Sequence, residues 1–182
     1  MATDPSGQMA TPRRNVELKA RLRSLDSARD VAQRVATETL GAAIHQIDTY
    51  FHCRHGRLKL REIDSEQCEL IWYDRANRPD AKTSNYRIVQ VADASQLKRA
   101  LAAALGTRTV VRKRREVFLY ENVRIHLDEV EGLGTFIEFE AVLDETNDEQ
   151  RGHEQLAYLS GQFAILPADL LTDSYGEMIE MP

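Results

Sequence analysis

The stretch RIHLDEVEGLGTFIEFE, residues 124–140, decides the fold. Successive side chains of a β-strand point to opposite faces of a sheet, so alternating polar and apolar residues give a strand one charged face and one apolar face. The stretch predicts two such strands, over residues 122–129 and 134–143. Its charged and titratable positions that alternate with apolar ones are Arg124, His126, Asp128, Glu138 and Glu140.

The same alternation occurs on three other predicted strands. The side chains that share a charged face there are Glu17, Lys19 and Arg21, then Arg57, Lys59 and Arg61, and then Lys113 and Arg115. Together with three further strand-like segments, these give predicted strands over residues 14–22, 43–54, 57–64, 67–74, 85–91 and 108–121. Helices are predicted over residues 27–37, from Asp93 or Ser95 to about Leu105, and from Thr146, which has capping-box spacing to Glu149, to about Gly161. The order of elements indicates an α+β fold with a large antiparallel sheet of about eight strands.

Two arrangements of this sheet fit the pattern. In an open sheet the charged faces would meet bulk water, and this is the ordinary interpretation of any single strand. With about eight strands the sheet can also close into a barrel. Three helices are available to cover the apolar faces, so in a closed barrel the charged faces would line the lumen.

Charges of both signs in a lumen point to phosphate and a metal ion. Enclosed Lys and Arg repel one another in an empty lumen, but they make charge-assisted contacts with the oxygens of a polyanion. Carboxylates in the same lumen would repel phosphate unless they hold a divalent cation, and Mg²⁺ and Mn²⁺ prefer oxygen ligands. A closed barrel therefore predicts a metal-assisted phosphate site.

Composition restricts the alternatives. The chain has 182 residues, and 24 Lys and Arg against 29 Asp and Glu give a net charge of −5. The mild acidity argues against a general nucleic-acid binder, and no apolar run is long enough for a membrane-spanning helix. Residues 1–13 predict a flexible tail without signal-peptide features. Two cysteines are too few for a disulfide framework, so we expect reduced thiols and a cytoplasmic location.

Several familiar motifs are missing or broken up. There is no HExxH spacing, no GxxxxGK[ST] loop and no GxSxG elbow, which disfavours zinc-hydrolase, P-loop and serine-hydrolase chemistry. Residues 108–115 contain a basic run, but strand alternation would divide it between two faces, so we do not expect a nucleic-acid interface there.

The ordered motifs of the chain resemble those of the CYTH superfamily, the triphosphate tunnel metalloenzymes. NVELK at residues 15–19 is similar to the E-x-E-x-K signature, and Ser174-Tyr175 with Met178-Ile179 is similar to the S-Y-x-x-L-L ending of class IV adenylyl cyclases. Between these two, the matching segments are GRLKLRE at residues 56–62, Lys113 with Arg115, and residues 124–140. The resemblance covers residues 14–180. One departure is Asn15, which replaces the first glutamate of the signature.

The resemblance implies a single domain over residues 14–182, folded as a closed eight-stranded antiparallel β-barrel with helices outside. It also implies that Mg²⁺ or Mn²⁺ assists a reaction of a triphosphate. The implied metal ligands are Glu17, Glu138 and Glu140, and the implied catalytic residues are Glu17, Lys19 and Asp128. The implied substrate-binding residues are Lys19, Arg21, Lys59, Arg61, Lys82, Arg87, Lys113, Arg115 and Arg124. Asp128 either binds the metal through water or orients Lys19 or Arg124, and Tyr175 is expected to anchor the C-terminal segment.

The most favoured function is hydrolysis of the terminal phosphate of an inorganic or organic triphosphate. The alternative is a class IV adenylyl cyclase, which makes cyclic AMP and pyrophosphate from ATP. A second alternative is a sensor that binds a triphosphate or nucleotide without turnover, which Asn15 favours. An ordinary antiparallel barrel that binds some other anion is a third. The expected partner is ATP, thiamine triphosphate or tripolyphosphate, with no nucleic acid or membrane partner, and the expected state is a monomer or homodimer.

Overall fold

Eight antiparallel strands close into a barrel in the computed structural model, which describes residues 13–180. The strands are β1 (Arg13–Arg21), β2 (Glu38–Thr39), β3 (Ile44–Phe51), β4 (Arg57–Ile63), β5 (Gln67–Arg75), β6 (Lys82–Gln90), β7 (Thr107–Tyr120), β8 (Val123–Val130) and β9 (Gly134–Val142). The helices are α1 (Leu25–Val35), α2 (Ala94–Leu105), α3 (Glu149–Gln162) and α4 (Tyr175–Glu180), and Pro167–Asp169 form a 3₁₀ turn. Of the predicted tail, residues 1–12 lie outside the described residues, and Arg13 begins β1.

The barrel order is β7-β3-β4-β5-β6-β1-β9-β8, and β8 pairs again with β7. The long strand β7 makes closure possible, because it pairs with β3 through residues 107–115 and with β8 through residues 113–120. The short strand β2 adds to β7 outside the barrel and was not predicted. The predicted fold class, α+β with a closed eight-stranded barrel, is confirmed.

Helices cover the apolar outer faces of the strands. Helices α1 and α3 bury Ala28, Ala32, Leu156 and Leu159 against the outer faces of β1, β7, β8 and β9. At Gly152 of α3, an added Cβ would lie 3.1 Å from Val16, so glycine allows α3 to approach β1 closely. Helix α2 covers a second cluster on β3, β4 and β5. The apolar faces are therefore outside, and the polar faces are left for the lumen.

The C-terminal segment closes one end of the barrel. Leu170 bridges to Ala20, and the Leu171 N–H donates to the Lys19 carbonyl. Tyr175, at the start of α4, is buried against Phe136, with a ring-centroid distance of 5.0 Å. The predicted anchoring role of Tyr175 agrees with this placement.

Two local predictions need correction. The loop predicted over residues 75–84 is shorter, because Arg75 pairs with Ser84 in the β5–β6 ladder and β6 begins at Lys82, which pairs with Glu17 of β1. The N-cap of α3 is Asp148, whose carboxylate accepts from the Arg151 N–H, and the predicted cap residue Thr146 instead donates to Asp144.

Within residues 13–180, no helix has the length and apolar character needed to cross a bilayer.

Candidate active site

The barrel lumen contains a cavity of about 110 Å³, lined by residues from most of the barrel strands and from the C-terminal segment. Strand alternation places polar side chains there, as Asn15, Glu17 and Lys19 of β1 illustrate. The charged lining residues are Glu17, Lys19, Lys59, Arg61, Arg75, Lys113, Arg124, Glu138 and Glu140. The cavity is therefore a cation-rich chamber that also holds carboxylates.

One side of this chamber, the cationic wall, consists of Asp48, Lys59, Arg61 and Lys113 on β3, β4 and β7. Asp48 lies opposite Arg61 in the β3–β4 ladder, and the guanidinium donates two hydrogen bonds of 2.7 and 2.9 Å to its carboxylate. The Nζ atoms of Lys59 and Lys113 lie 3.1 and 3.5 Å from Asp48 Oδ2. Three cations thus share one carboxylate, and the wall carries excess positive charge when all are protonated.

Burial and mutual repulsion weaken the protonation of the two lysines. Burial, helped by the charge of Arg115, lowers the pKa of Lys113 to about 7. Burial and Arg61 likewise lower the pKa of Lys59 to about 8. Burial opposes ionisation of Asp48, but its three cationic neighbours outweigh that effect and hold its pKa well below the usual range. A bound anion would favour the charged form of both lysines.

The opposite side, the acidic wall, consists of Glu17, His126, Glu138 and Glu140 on β1, β8 and β9. Each carboxylate has a cation near it: Arg75 lies 2.9 Å from Glu17, Lys19 lies 3.3 Å from Glu138, and Arg124 lies 3.7 Å from Glu140. Lys19 and Glu138 face each other in the β1–β9 ladder, and Arg124 and Glu140 face each other in the β8–β9 ladder, whereas Arg75 contacts Glu17 of β1 from β5.

The carboxyl groups of the acidic wall differ in pKa. Burial raises the pKa of Glu17, with help from Glu138 and Glu140, although Arg75 opposes this. Burial also acts against ionisation of Glu138, but the charges of Lys19 and Arg115 overcome it and hold the Glu138 pKa well below its usual range. Glu138 is therefore an ionised ligand candidate, and Glu17 is a better proton acceptor than an ordinary glutamate.

The acidic wall fits a metal ion. His126, Glu138 and Glu140 offer ligand atoms that all lie within 4.8 Å of one another. His126 Nδ1 is buried and has no hydrogen-bond partner among the described residues, and the same is true of Asn15 Oδ1. Two carboxylates and an unpartnered imidazole nitrogen form a donor set for a divalent cation. Of the three predicted metal ligands, the structure groups Glu138 and Glu140 with His126, while Glu17 pairs with Arg75.

Asp128 and Arg115 form a buried ion pair beside the acidic wall. Arg115 donates two hydrogen bonds of 2.6 Å to Asp128 and one of 2.9 Å to Glu138. The Tyr175 hydroxyl donates to Asp128 Oδ2 at 2.8 Å. Neither Asp128 nor Arg115 lines the cavity. The hydrogen-bond partners of Asp128 are thus Arg115 and Tyr175, whereas the sequence led us to expect Lys19 or Arg124.

Apart from Arg115, which does not line the cavity, the predicted substrate-binding cations divide into two groups. Lys19, Lys59, Arg61, Lys113 and Arg124 line the cavity as predicted. Arg21 is exposed at the closed end of the barrel and donates to the Leu133 carbonyl, so it lies outside the chamber.

Lys82 and Arg87 also differ from the prediction. Lys82 lies on the inner side of β6, but its ammonium donates to the carbonyls of Arg78 and Leu171 at the closed end. Arg87 alternates with Tyr86 and Ile88, which line the lumen, so it belongs to the outer face of β6. Lys82 was predicted in a loop, whereas it is the first residue of β6, which begins earlier than the predicted strand 85–91.

Asp48, Arg75 and His126 were missing from the predicted site residues. Asp48 shares a strand face with Gln46, and this alternation in residues 44–51 was a usable signal. Arg75 was placed in a loop, whereas it ends β5 and lines the lumen. His126 was seen on the charged face of its strand but was given no role. Whether its Nδ1 finds a hydrogen-bond partner depends on how the side chains pack, and the sequence alone does not show this.

Comparison with known proteins identifies the family. The model of the CYTH domain matches residues 13–175, which is most of the chain. The chain belongs to the CYTH domain family. The resemblance inferred from its ordered motifs is therefore confirmed, and this CYTH protein carries the family's barrel.

Relatives of this CYTH protein include a curated protein of Methanocaldococcus jannaschii named "Putative adenylate cyclase MJ0240". It is 28% identical over 100 residues, which cover 54% of this chain and 57% of that protein. The match thus spans little more than half of the relative's length.

Solved structures show the same fold. A "putative adenylate cyclase" from Vibrio parahaemolyticus superimposes with a TM-score of 0.75 at 22% identity, covering 92% of this chain and 98% of the other. HpAC1 from Hippeastrum, described as a "putative adenylyl cyclase" with a dominant triphosphatase activity, superimposes with a TM-score of 0.60 at 17% identity, covering 91% and 93% of the two chains. At these identities the likeness establishes the fold alone.

Proposed function

We propose that this CYTH protein is a metal-dependent triphosphatase that hydrolyses the terminal phosphate of a triphosphate bound in the barrel lumen. The observation that carries the proposal is the opposition of two walls in one chamber. The cationic wall has more positive charge than Asp48 can neutralise, and the acidic wall offers three metal-ligand candidates. A triphosphate held between them satisfies both walls, because its oxygens can contact cations on one side and a metal ion on the other.

The cationic wall would bind the phosphate chain. Arg61 offers a planar guanidinium that suits two phosphate oxygens, and Lys59 and Lys113 act as compact charges beside it. Asp48 holds all three groups in the lumen before substrate arrives. This arrangement reduces the loss of side-chain freedom on binding and keeps the phosphates in line for attack.

The acidic wall would hold the metal ion, Mg²⁺ or Mn²⁺, through Glu138 and Glu140. When bound, such an ion polarises phosphoryl oxygens and offsets the charge of the leaving group. Lys19 lies beside Glu138 on the inner face and is placed to contact the same phosphate oxygens. Arg115 and Asp128 fix the Glu138 carboxylate from behind as positioning residues.

Glu17 is the proposed proton acceptor. In the hydrolytic step, a water oxygen bonds to the terminal phosphorus, the bridging P–O bond breaks, and diphosphate leaves with that bond's electron pair. The water proton passes to the Glu17 carboxylate, and orthophosphate is the second product. Burial raises the Glu17 pKa, and this makes the carboxylate a stronger base.

Adenylyl cyclase activity is the second candidate function. The lumen also contains Ile71, Tyr86 and Ile88, an apolar area next to the charged walls that could contact an organic group. The name of the Methanocaldococcus relative points the same way. The dominant triphosphatase activity described for HpAC1, itself named as a cyclase, favours hydrolysis as the first candidate.

Product analysis tests the proposal. Purified protein is incubated with tripolyphosphate, ATP or thiamine triphosphate and with Mg²⁺ or Mn²⁺, and orthophosphate, pyrophosphate and cyclic AMP are measured. We expect metal-dependent release of orthophosphate. Cyclic AMP with pyrophosphate as the main products would replace triphosphatase with cyclase, and tight binding without turnover would indicate a sensor.

A pair of variants on one strand links turnover to the lumen. Lys113 points inward on β7, and its neighbour Arg112 is exposed on the outer face. Lys113→Ala should reduce turnover, and Arg112→Ala should leave it near the wild-type value. Equal losses in both variants would contradict a lumenal reaction.

A further inference from the structure

We infer that His126 is a direct metal ligand and that it gives this CYTH protein a preference for transition-metal ions such as Co²⁺, Ni²⁺ and Zn²⁺ over Mg²⁺. The inference deepens the proposed function, because it concerns the metal of the same site. It adds a nitrogen ligand to a donor set that would otherwise contain only oxygen.

The position of the imidazole carries the inference. His126 pairs with Glu138 in the β8–β9 ladder, and its side chain lies on the inner face of β8. Its Nδ1 lies 3.6 Å from Glu138 Oε2 and 4.0 Å from Glu140 Oε1. Ligand atoms around one ion at bond lengths of about 2.1 Å lie about 3 to 4.3 Å apart. Both separations are within this range.

Burial of an unpartnered nitrogen gives the second argument. The His126 side chain is only 6% exposed, and its Nδ1 has no hydrogen-bond partner among residues 13–180. A buried polar atom without a hydrogen-bond partner is destabilising, so such an atom in a native structure calls for an explanation. A metal ion between the imidazole and the two carboxylates satisfies all three groups.

Three ligands from β8 and β9 make an open site. The two carboxylates and one imidazole leave coordination positions free for water or a phosphate oxygen. Carboxylate and water suit Mg²⁺, whereas imidazole suits transition-metal ions such as Ni²⁺ and Zn²⁺. The nitrogen therefore decides selectivity, and the carboxylates supply charge to any divalent ion.

Metal titrations without triphosphate test the inference independently of turnover. Isothermal titration calorimetry with Ni²⁺ and with Mg²⁺ compares the wild-type protein with His126→Asn, and His45→Asn on the exposed outer face is the control. We expect His126→Asn to weaken Ni²⁺ binding by about tenfold or more. Mg²⁺ binding should change by less than about threefold, since Mg²⁺ relies on the carboxylate oxygens.

Two results would overturn the inference. If His126→Asn weakens both ions equally, His126 only positions Glu138. If Ni²⁺ affinity is unchanged, His126 does not contribute to the site. Because the variant could disturb folding, the wild-type protein provides a second measurement: with ¹⁵N-labelled histidine, Zn²⁺ should shift the Nδ1 resonance of His126. An unshifted resonance at saturating Zn²⁺ also rejects direct ligation. Orthophosphate release is assayed separately, so failure of the proposed function remains distinguishable.

Discussion

The two walls of the lumen arise from the same strand alternation but balance their charges differently. On the cationic wall, three cations share Asp48, so positive charge remains uncompensated. On the acidic wall, each glutamate has its own cation, and the unpartnered group is the imidazole of His126. The difference indicates what each wall suits: the first suits an anion, and the second suits a Lewis acid that its nitrogen and oxygen donors can bind. Substitutions in the acidic wall and substitutions in the cationic wall should therefore have different effects on turnover, stability and binding.

The largest effect is expected from the acidic wall. Glu138→Gln removes a ligand charge from the metal-site candidate and should reduce metal-dependent turnover by about 100-fold or more, with the fold retained. Turnover is measured by orthophosphate release, and the fold by near-ultraviolet circular dichroism. Glu129→Gln, on the exposed outer face of the same hairpin, is the matched control. Wild-type activity in Glu138→Gln would remove this residue from the mechanism.

Removing the shared carboxylate of the cationic wall should mainly lower the stability of the free protein. Asp48→Asn leaves three enclosed cations without their shared carboxylate, and loss of one partner from a buried ion pair costs about 3 to 5 kcal/mol. We expect a lower thermal midpoint for the free protein. Tripolyphosphate should then raise the midpoint more in Asp48→Asn than in the wild type, because the ligand replaces the missing negative charge.

Thermal unfolding with increasing tripolyphosphate measures this difference. Asp74→Asn, at an exposed position on β5, is the control for loss of a carboxylate. A ligand-induced gain that is smaller in Asp48→Asn than in the wild type would mean that Asp48 positions the cations and does not merely compensate their charge.

The sequence predicts the fold better than it predicts the pairings within the lumen. Alternation over residues 124–140 places Glu138 and Glu140 on one face, and the closed barrel brings that face inward, as expected. Alternation alone does not indicate which lumenal group contacts which. The convergence of Lys59, Arg61 and Lys113 on Asp48 depends on the barrel's register across three strands.

Errors in the predicted site come from strand ends. Arg21 and Lys82 lie on the lumenal face of their strands. Both are at the closed end of the barrel, however, where the C-terminal segment and backbone carbonyls occupy the space. Arg87 is a different kind of error: it lies within β6 on the outer face, because its neighbours Tyr86 and Ile88 line the lumen. An assignment that is wrong by one position changes a predicted ligand, since neighbouring residues face opposite sides of the barrel.

A smaller effect concerns how the cationic wall responds to salt. Arg61→Ala combined with Lys113→Ala should weaken tripolyphosphate affinity more strongly at low salt than at high salt, because salt already screens the attraction. Affinity is measured by calorimetry at two or more salt concentrations. The matched control is Arg112→Ala combined with Arg114→Ala, which removes two exposed cations from the outer face of β7. Equal salt dependence in both double variants would contradict specific binding by the wall.

The smallest expected effect is a change in the pH dependence of binding. The pKa of Lys113 is lowered to about 7, far below the ordinary lysine value, so the free protein loses this charge as the pH rises through 7. A bound triphosphate favours the charged form, and binding therefore takes up a proton above this pH. Affinity for tripolyphosphate should fall as the pH rises, by up to about tenfold per pH unit for one coupled proton.

Lys113→Arg isolates the contribution of this lysine, because arginine remains charged throughout the range. The ratio of wild-type to variant dissociation constants is measured between pH 7 and 9. The titration of the ligand itself is common to both proteins and cancels in the ratio. We expect the ratio to rise with pH, and the titration of Lys59, whose pKa is lowered to about 8, is likewise common to both proteins. A ratio that stays constant would mean that Lys113 keeps its proton in the free protein, and that Asp48 compensates the cationic wall more fully than the one-to-three pairing suggests.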